Sequence, residues 1–187
     1  MRIIGGRYAR RRFDVPRGMK LRPTTDMAKE GLFSVLFSML DFEHLRVLDL
    51  FAGTGNIGLE FLSRGADHIL FVEKNRKQAS FIKTVIRQLG EEECTSVRMQ
   101  DVFHFLREGA TDFPAGSIDL VFADPPYDLP QLATLPDLIL SHSLLSSKAF
   151  FILEHPAAYD FSSHPLFVKS KEYSAVHFTF FMKQEGL

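Results

Sequence analysis

The sequence predicts an α/β domain: a mostly parallel sheet covered by helices on both faces, with an antiparallel hairpin closing one edge. Three observations carry that prediction. From residue 46 onward, apolar runs of strand length alternate with amphipathic runs of helix length, the pattern of a sheet whose crossovers are helices. The first of these runs, Val47-Leu48-Asp49-Leu50, enters a glycine-rich turn, Gly53-Thr54-Gly55. Near the end, two β-like runs follow one another with no room for a crossover helix, so they pair antiparallel.

In chain order, the first 22 residues form a basic arm. Arg2, Arg7, Arg10, Arg11, Arg12, Arg17, Lys20 and Arg22 face a single acid, Asp14, for a net of +7, and the rest of the chain carries about −8. Ile3, Ile4, Tyr8, Phe13 and Val15 are interspersed with these arginines, and Gly5-Gly6 supplies a turn. The arm therefore reads as a small β-hairpin that presents positive charge to a polyanion. Residues 23–187 read as the main domain. Thr24 and Thr25 precede a stretch with Ala28, Leu32, Phe33, Val35, Leu36 and Leu40 at helical spacing, and a threonine at that boundary can cap the helix. Strands are expected at 46–50, 68–73, 95–99, 118–123 and 148–154. Helices are expected near 56–64, 75–89, 101–108 and 130–141. Leu166–Lys169 and Ala175–Phe181 make the final pair.

Composition narrows the function classes. At 187 residues and 45% hydrophobic, the chain can bury one substantial core. Its single cysteine, Cys94, excludes an intramolecular disulfide framework and a cysteine-based metal site, which suits a reducing, cytoplasmic setting. The seven histidines show no HExxH or His-x-His spacing, so no metal is implied. No apolar run approaches eighteen residues, and no apolar segment follows the basic start as a signal peptide requires. A monomer is the default expectation, since no apolar stripe calls for a partner.

Gly53-Thr54-Gly55-Asn56-Ile57-Gly58 matches G-x-G-x-x-G, with Glu73 about twenty residues on at a strand end. Alone, that pattern reads as a dinucleotide site. Asp49 argues against it, because a carboxylate just before the glycine turn would oppose a pyrophosphate. S-adenosylmethionine carries an ammonium and a sulfonium and no phosphate, so an acid there favours it. The expected cofactor contacts are Asp49, the loop Phe51-Ala52-Gly53-Thr54-Gly55, Glu73 on the ribose hydroxyls, and Asp101-Val102 at the adenine. Glu73 and Asp101 could instead simply cap the helices that follow them.

A second motif, Asp124-Pro125-Pro126-Tyr127, ends the fourth predicted strand. Two prolines stiffen the turn and remove two backbone donors. Asp124 and the Pro125 carbonyl can accept the hydrogens of an exocyclic amine while Tyr127 stacks on its ring. Both motifs fall at carboxyl ends of parallel strands, where ligands of such sheets sit, so methyl donor and amine become neighbours. The competing readings are an NAD-type oxidoreductase, amino methylation of DNA, of another RNA or of a protein glutamine, and a non-catalytic RNA-binding assembly factor.

These segments resemble the RsmD-type methyltransferases, which modify the N2 amine of a guanine in 16S ribosomal RNA. The likeness spans nearly the whole chain. It rests on Arg2-Ile3-Ile4-Gly5-Gly6, on Leu21-Arg22-Pro23-Thr24-Thr25-Asp26 with Glu30 and Phe33, on the Leu48–Gly55 loop with Gly58-Leu59-Glu60, and on Ala123–Tyr127. The resemblance implies a Rossmann-like class I methyltransferase fold with a seven-stranded sheet. It also implies that the small ribosomal subunit is the partner, and that the arm and the Arg22-Pro23-Thr24 segment lie over the site, with Thr24 and Thr25 as further cofactor contacts and Arg2, Arg7, Arg10, Arg11, Arg12, Lys20 and Arg22 toward RNA. Two departures from the family pattern stand out: Thr54-Gly55-Asn56-Ile57-Gly58 where Ser-Gly-Ala-Leu-Gly is usual, and Arg10 where a glycine is common.

Overall fold

The computed structural model describes residues 1–16, 18–19, 25–109 and 113–184; Arg17, Lys20, Arg22 and Thr24, named above, lie outside them. Helix α1 (Asp26–Phe37) opens at Thr25, whose hydroxyl accepts from the Ala28 amide, as an N-cap should. The chain then alternates β1 (Arg46–Leu50), α2 (Asn56–Ser63), β2 (His68–Val72), α3 (Arg76–Leu89), β3 (Thr95–Arg98), α4 (Val102–Glu108) and β4 (Ile118–Ala123). After a short 3₁₀ turn come α5 (Leu135–Leu140), β5 (Leu145–His155), β6 (Phe167–Tyr173) and β7 (Val176–Met182).

The seven strands lie in the order β3-β2-β1-β4-β5-β7-β6. The first five run parallel, and β7 pairs antiparallel with both β5 and β6. Strand order reverses between β1 and β4, which are direct neighbours with Leu50 opposite Ala123. That reversal opens a crevice at their carboxyl ends.

Period-two alternation divides each strand between two cores. Val47, Ile69, Phe71, Leu120, Phe122 and Ile152 face the side packed by α1, α2, α3 and the arm. Leu48, Leu70, Val72, Val121, Phe151 and Leu153 face α4 and α5. Asp49 shares parity with Val47 and so lies among apolar side chains on the first side, at 2% exposure.

Differences from the sequence expectation sit where burial is incomplete. The helix expected over 130–141 begins as the 3₁₀ turn Leu132–Thr134, and regular helix starts only at Leu135, with Pro136 in its first turn. Strand β5 starts three residues earlier than expected. Strand β6 runs four residues past the expected Lys169, because this edge strand, Phe167-Val168-Lys169-Ser170-Lys171-Glu172-Tyr173, is mostly solvent-exposed and carries charges in place of an apolar pattern. The basic hairpin is short: Arg2 and Arg12 form a single antiparallel bridge, extended by Ile3 N–H to Arg11 O and Phe13 N–H to Met1 O. No helix among the described residues is long and apolar enough to cross a membrane.

Candidate active site

The crevice between β1 and β4 is a cleft of roughly 580 Å³. One wall is the loop after β1, lined by Phe51, Ala52, Gly53 and Thr54 above Asp49. The other is the turn after β4, Asp124, Pro125, Pro126 and Tyr127. Glu73 closes the end at β2, and Val102, at the start of α4, contributes an apolar patch. The two motifs, about seventy residues apart in sequence, therefore share one cavity.

The loop is wound by backbone conformation. Phe51, Gly53 and Gly55 have φ of 55°, 56° and 75°, alternate left-handed residues that turn the chain from strand into helix. Phe51 holds this conformation without glycine's freedom, a strain of the kind that clusters at ligand sites; its ring packs edge-on against Phe103. Because α2 starts after Gly55, it has no capping side chain of its own. Asp49 supplies one, its Oδ2 accepting from the Gly58 amide at 2.9 Å. A Cβ at Gly58 would lie 2.3 Å from the Phe71 ring and 2.8 Å from that same carboxylate oxygen, so glycine is what lets α2 approach the sheet closely enough to be capped.

Burial pushes the Asp49 carboxyl well above the usual carboxylate range; the nearby Glu73 charge raises it further, and the Gly58 N–H opposes both. Glu73 is also tied to the backbone: one oxygen accepts from Gly53 N–H at 2.8 Å and the other from Asn75 N–H at 2.7 Å. The Gly53 amide, which a phosphate would need, is thus already held by a carboxylate. With Asp49, Glu73, Asp124 and Asp128 lining the cleft against Lys74, its chemistry suits a cationic ligand and disfavours a pyrophosphate. The acidic lining fits S-adenosylmethionine, which carries two positive groups and no phosphate.

On the opposite wall Pro125 is buried, Pro126 exposed, and Asp124 and Tyr127 half-buried. The Tyr127 hydroxyl lies 3.5 Å from Glu154 Oε1, a carboxylate at 2% exposure near the end of β5. Three expected cofactor contacts do not line the cleft. Thr25 caps α1. Gly55 lies between the lining residues Thr54 and Asn56, where a Cβ would come within 3.1 Å of Ile82 and 3.2 Å of Phe71. Asp101 caps α4 through the Phe103 and His104 amides, leaving Val102 as the member of that pair on the cleft wall.

The family model described as conserved hypothetical protein 95 matches residues 1–182, and ribosomal RNA small subunit methyltransferase D of Escherichia coli K12 is 31% identical over 82% of this chain and 74% of its own length. The chain belongs to the RsmD family. The enzyme of the same name from Buchnera aphidicola (subsp. Baizongia pistaciae) is 26% identical over 97% of this chain and 91% of its own. Among solved structures, a hypothetical protein of Thermus thermophilus superposes with a TM-score of 0.80 at 28% identity, covering 97% of this chain and 98% of that one. A Salinibacter ruber RNA methyltransferase solved with S-adenosyl-L-homocysteine shares the fold at a TM-score of 0.65 and 12% identity, over 88% and 95% of the two chains.

In this RsmD-family chain the basic arm is seated on α2 by a buried network absent from the sequence expectation. Lys29 and Glu60, both with fully buried side chains, pair at 3.1 Å. Glu60 also accepts from the Ile4 and Gly5 amides and binds the Arg64 guanidinium at 2.9 Å. Lys29 Nζ donates to Arg2 O at 2.6 Å and to Asn56 Oδ1 at 2.8 Å. Asn56 lines the cleft, so one lysine joins the arm to the cleft wall. A Cβ at Gly6 would lie 1.8 Å from Ser63 O, which is how closely the arm's backbone meets α2. A signal for this network exists in the sequence: Lys29 stands three, four and seven residues before Leu32, Phe33 and Leu36, on the apolar stripe of α1.

The predicted RNA-facing arginines divide into two sets. Arg2 pairs with Asp26 and Arg7 with Glu91, each at 2.7 Å, and the Tyr8 hydroxyl donates to Glu91 as well. These contacts fasten the arm to the body. Arg10, Arg11 and Arg12 are exposed beyond them.

Proposed function

We propose that this chain transfers the methyl group of S-adenosylmethionine to the exocyclic N2 amine of a guanine in 16S rRNA of the small ribosomal subunit, in the cytoplasm. The observation that carries this reading is the single cleft in which an acid-lined glycine loop faces Asp-Pro-Pro-Tyr across the β1/β4 switch point. The relatives named ribosomal RNA small subunit methyltransferase D support the substrate class.

S-adenosylmethionine, when bound, supplies an activated methyl electrophile. Asp49 and Glu73 hold its cationic and ribose ends, and Val102 packs against its adenine. The residues after β4 prepare the nucleophile. A guanine amine is weakly nucleophilic because its lone pair is delocalised into the ring. Asp124 and the Pro125 carbonyl accept its two hydrogens and place negative charge where positive charge develops on nitrogen. Tyr127 offers a stacking face to a base extruded from its helix. No strong base is needed, since the proton passes to the Asp124 carboxylate only after methylation has made the nitrogen positive and strongly acidic; alignment and exclusion of water supply the rate. Arg10, Arg11 and Arg12 contact phosphates in a salt-sensitive way without reading sequence.

The test is transfer of label from S-adenosylmethionine to small ribosomal subunits lacking their native methylation, followed by nucleoside analysis. The expected product is N2-methylguanosine in 16S rRNA. Label in a different nucleoside, or none at all on these subunits, would overturn the substrate assignment.

A further inference from the structure

A second cavity, of about 760 Å³, lies between the arm and α3. It flanks the same first turn of α3 that borders the cleft: Asn75 and Gln78 line the cleft, while Arg76 and Lys77 line the second cavity. Its floor is apolar, with Phe13 and Met19 from the arm side and Phe81, at 7% exposure, from α3. Its rim is cationic. Arg12, Arg76 and Lys77 stand there against a single acid, Asp14, on a body that is acidic overall. Among the described residues none of these three cations is paired with a carboxylate, in contrast to Arg2 and Arg7. Exposed Ser80 and Thr84 add hydroxyls along one side.

An aromatic and thioether floor beneath uncommitted cations is the chemistry of a single-stranded nucleotide site: the base stacks on the floor and the phosphate meets the rim. We propose that this groove holds an unpaired nucleotide of the RNA substrate flanking the base that enters the cleft. The strand would cross the first turn of α3, with Arg76 and Lys77 on its phosphates and the hydroxyls of Ser80 and Thr84 at the edge of the seated base. This rests on the reading of the protein as an rRNA methyltransferase. It adds α3 to the arm as an RNA-binding element and explains how a domain with one short basic hairpin fixes the position of its target base.

The test uses the full chain and undermethylated small subunits, with direct binding, methyl-transfer kinetics and S-adenosylmethionine affinity measured on each variant. Arg76→Glu/Lys77→Glu reverses two charges at the groove, and Lys83→Glu/Arg87→Glu makes the same change on α3 away from it. The groove variant is expected to weaken subunit binding and raise KM about tenfold or more. Its slope of log affinity against log salt should flatten by about two. Its kcat and cofactor affinity are expected to stay at wild-type values, and the control pair within about twofold of wild type. Thr84→Trp, which fills the groove without changing charge, is expected to raise KM as well. Groove and control pairs with equal effects, or Thr84→Trp with wild-type binding, would overturn the groove. Wild type that binds subunits but transfers no methyl would overturn the enzymatic reading alone, since subunit binding tests the groove separately.

Discussion

The cleft and the seat of the arm are built on the same helix and each centres on a buried carboxylate, yet the two carboxylates are treated in opposite ways. Glu60, inside α2, is saturated: Lys29, Arg64 and two backbone amides converge on it. Asp49, under the start of α2, has one amide, that of Gly58, and among the described residues no cation. A carboxylate with every acceptor site filled holds structure together. One left short of positive charge is a place where a cationic ligand gains most. Completeness of partnering, more than burial, separates the structural acid from the acid proposed to bind the cofactor.

The largest way to break this contrast is at Glu60. Glu60→Ala strands Lys29 and two amides of the arm, and removing one partner of a buried pair costs about 3–5 kcal/mol. Urea denaturation is expected to show a loss of that size, with the arm newly open to proteolysis; a loss below about 1 kcal/mol would mean that Glu60 does not hold the arm. Gly58→Ala comes next. Its methyl would press on the Phe71 ring and on the Asp49 carboxylate, and overpacking of this kind costs about 1–3 kcal/mol. A variant of unchanged stability and cofactor affinity would show that α2 need not approach the sheet so closely.

Asp49 gives a pH signature. Its folded carboxyl titrates above its ordinary value, so the native state holds the proton more tightly than the unfolded chain does. Stability therefore falls as pH rises from the ordinary carboxylate range to the raised value. S-adenosylmethionine, being cationic, prefers the ionised form, so its affinity is expected to rise across that same window. Asp49→Asn keeps an acceptor for Gly58 N–H while removing the charge. It should weaken binding on the order of tenfold above the window and abolish the pH dependence, as read by calorimetry. A pH-dependent affinity that survives in the variant would transfer the effect to another group. The smallest effect is at Arg10, a non-glycine residue at φ 70° in a position where the related family commonly has glycine. Relief of left-handed strain, about 1–2 kcal/mol, is partly offset by the greater chain entropy of glycine, about 0.5–1 kcal/mol. Arg10→Gly is thus expected to raise stability slightly while weakening salt-dependent RNA binding; a stability loss would place the strain elsewhere.

The same contrast explains what could be read from the chain. The cleft was legible because each half is a contiguous motif whose residue types are set by local needs. Asp49 through Gly58 is one strand-turn-helix passage, and Asp124 through Tyr127 is one turn, and both end strands that β-α alternation makes parallel, where ligands of such sheets sit. The arm's seat left one trace, Lys29 on the apolar stripe of α1, and was otherwise not legible, because Glu60 meets Ile4 and Gly5 across more than fifty residues, and a glutamate within a helix ordinarily reads as surface. Glu154 escaped for the same reason: its relation to Tyr127 passes through two neighbouring strands, β4 and β5. Thr25 and Asp101 mark the opposite case. Both are cap-type residues at helix starts, and capping is the role in which the structure places them.

In the proposed reading, one cleft holds a methyl donor on its β1 side and an amine on its β4 side. The most direct test measures S-adenosylmethionine affinity and methyl transfer to undermethylated small subunits on the same preparation of Asp124→Ala. Cofactor affinity is expected to stay within about threefold of wild type, with transfer reduced by about 10²–10³-fold. Transfer near the wild-type rate, or loss of cofactor binding in parallel with activity, would contradict the division of the cleft into those two halves.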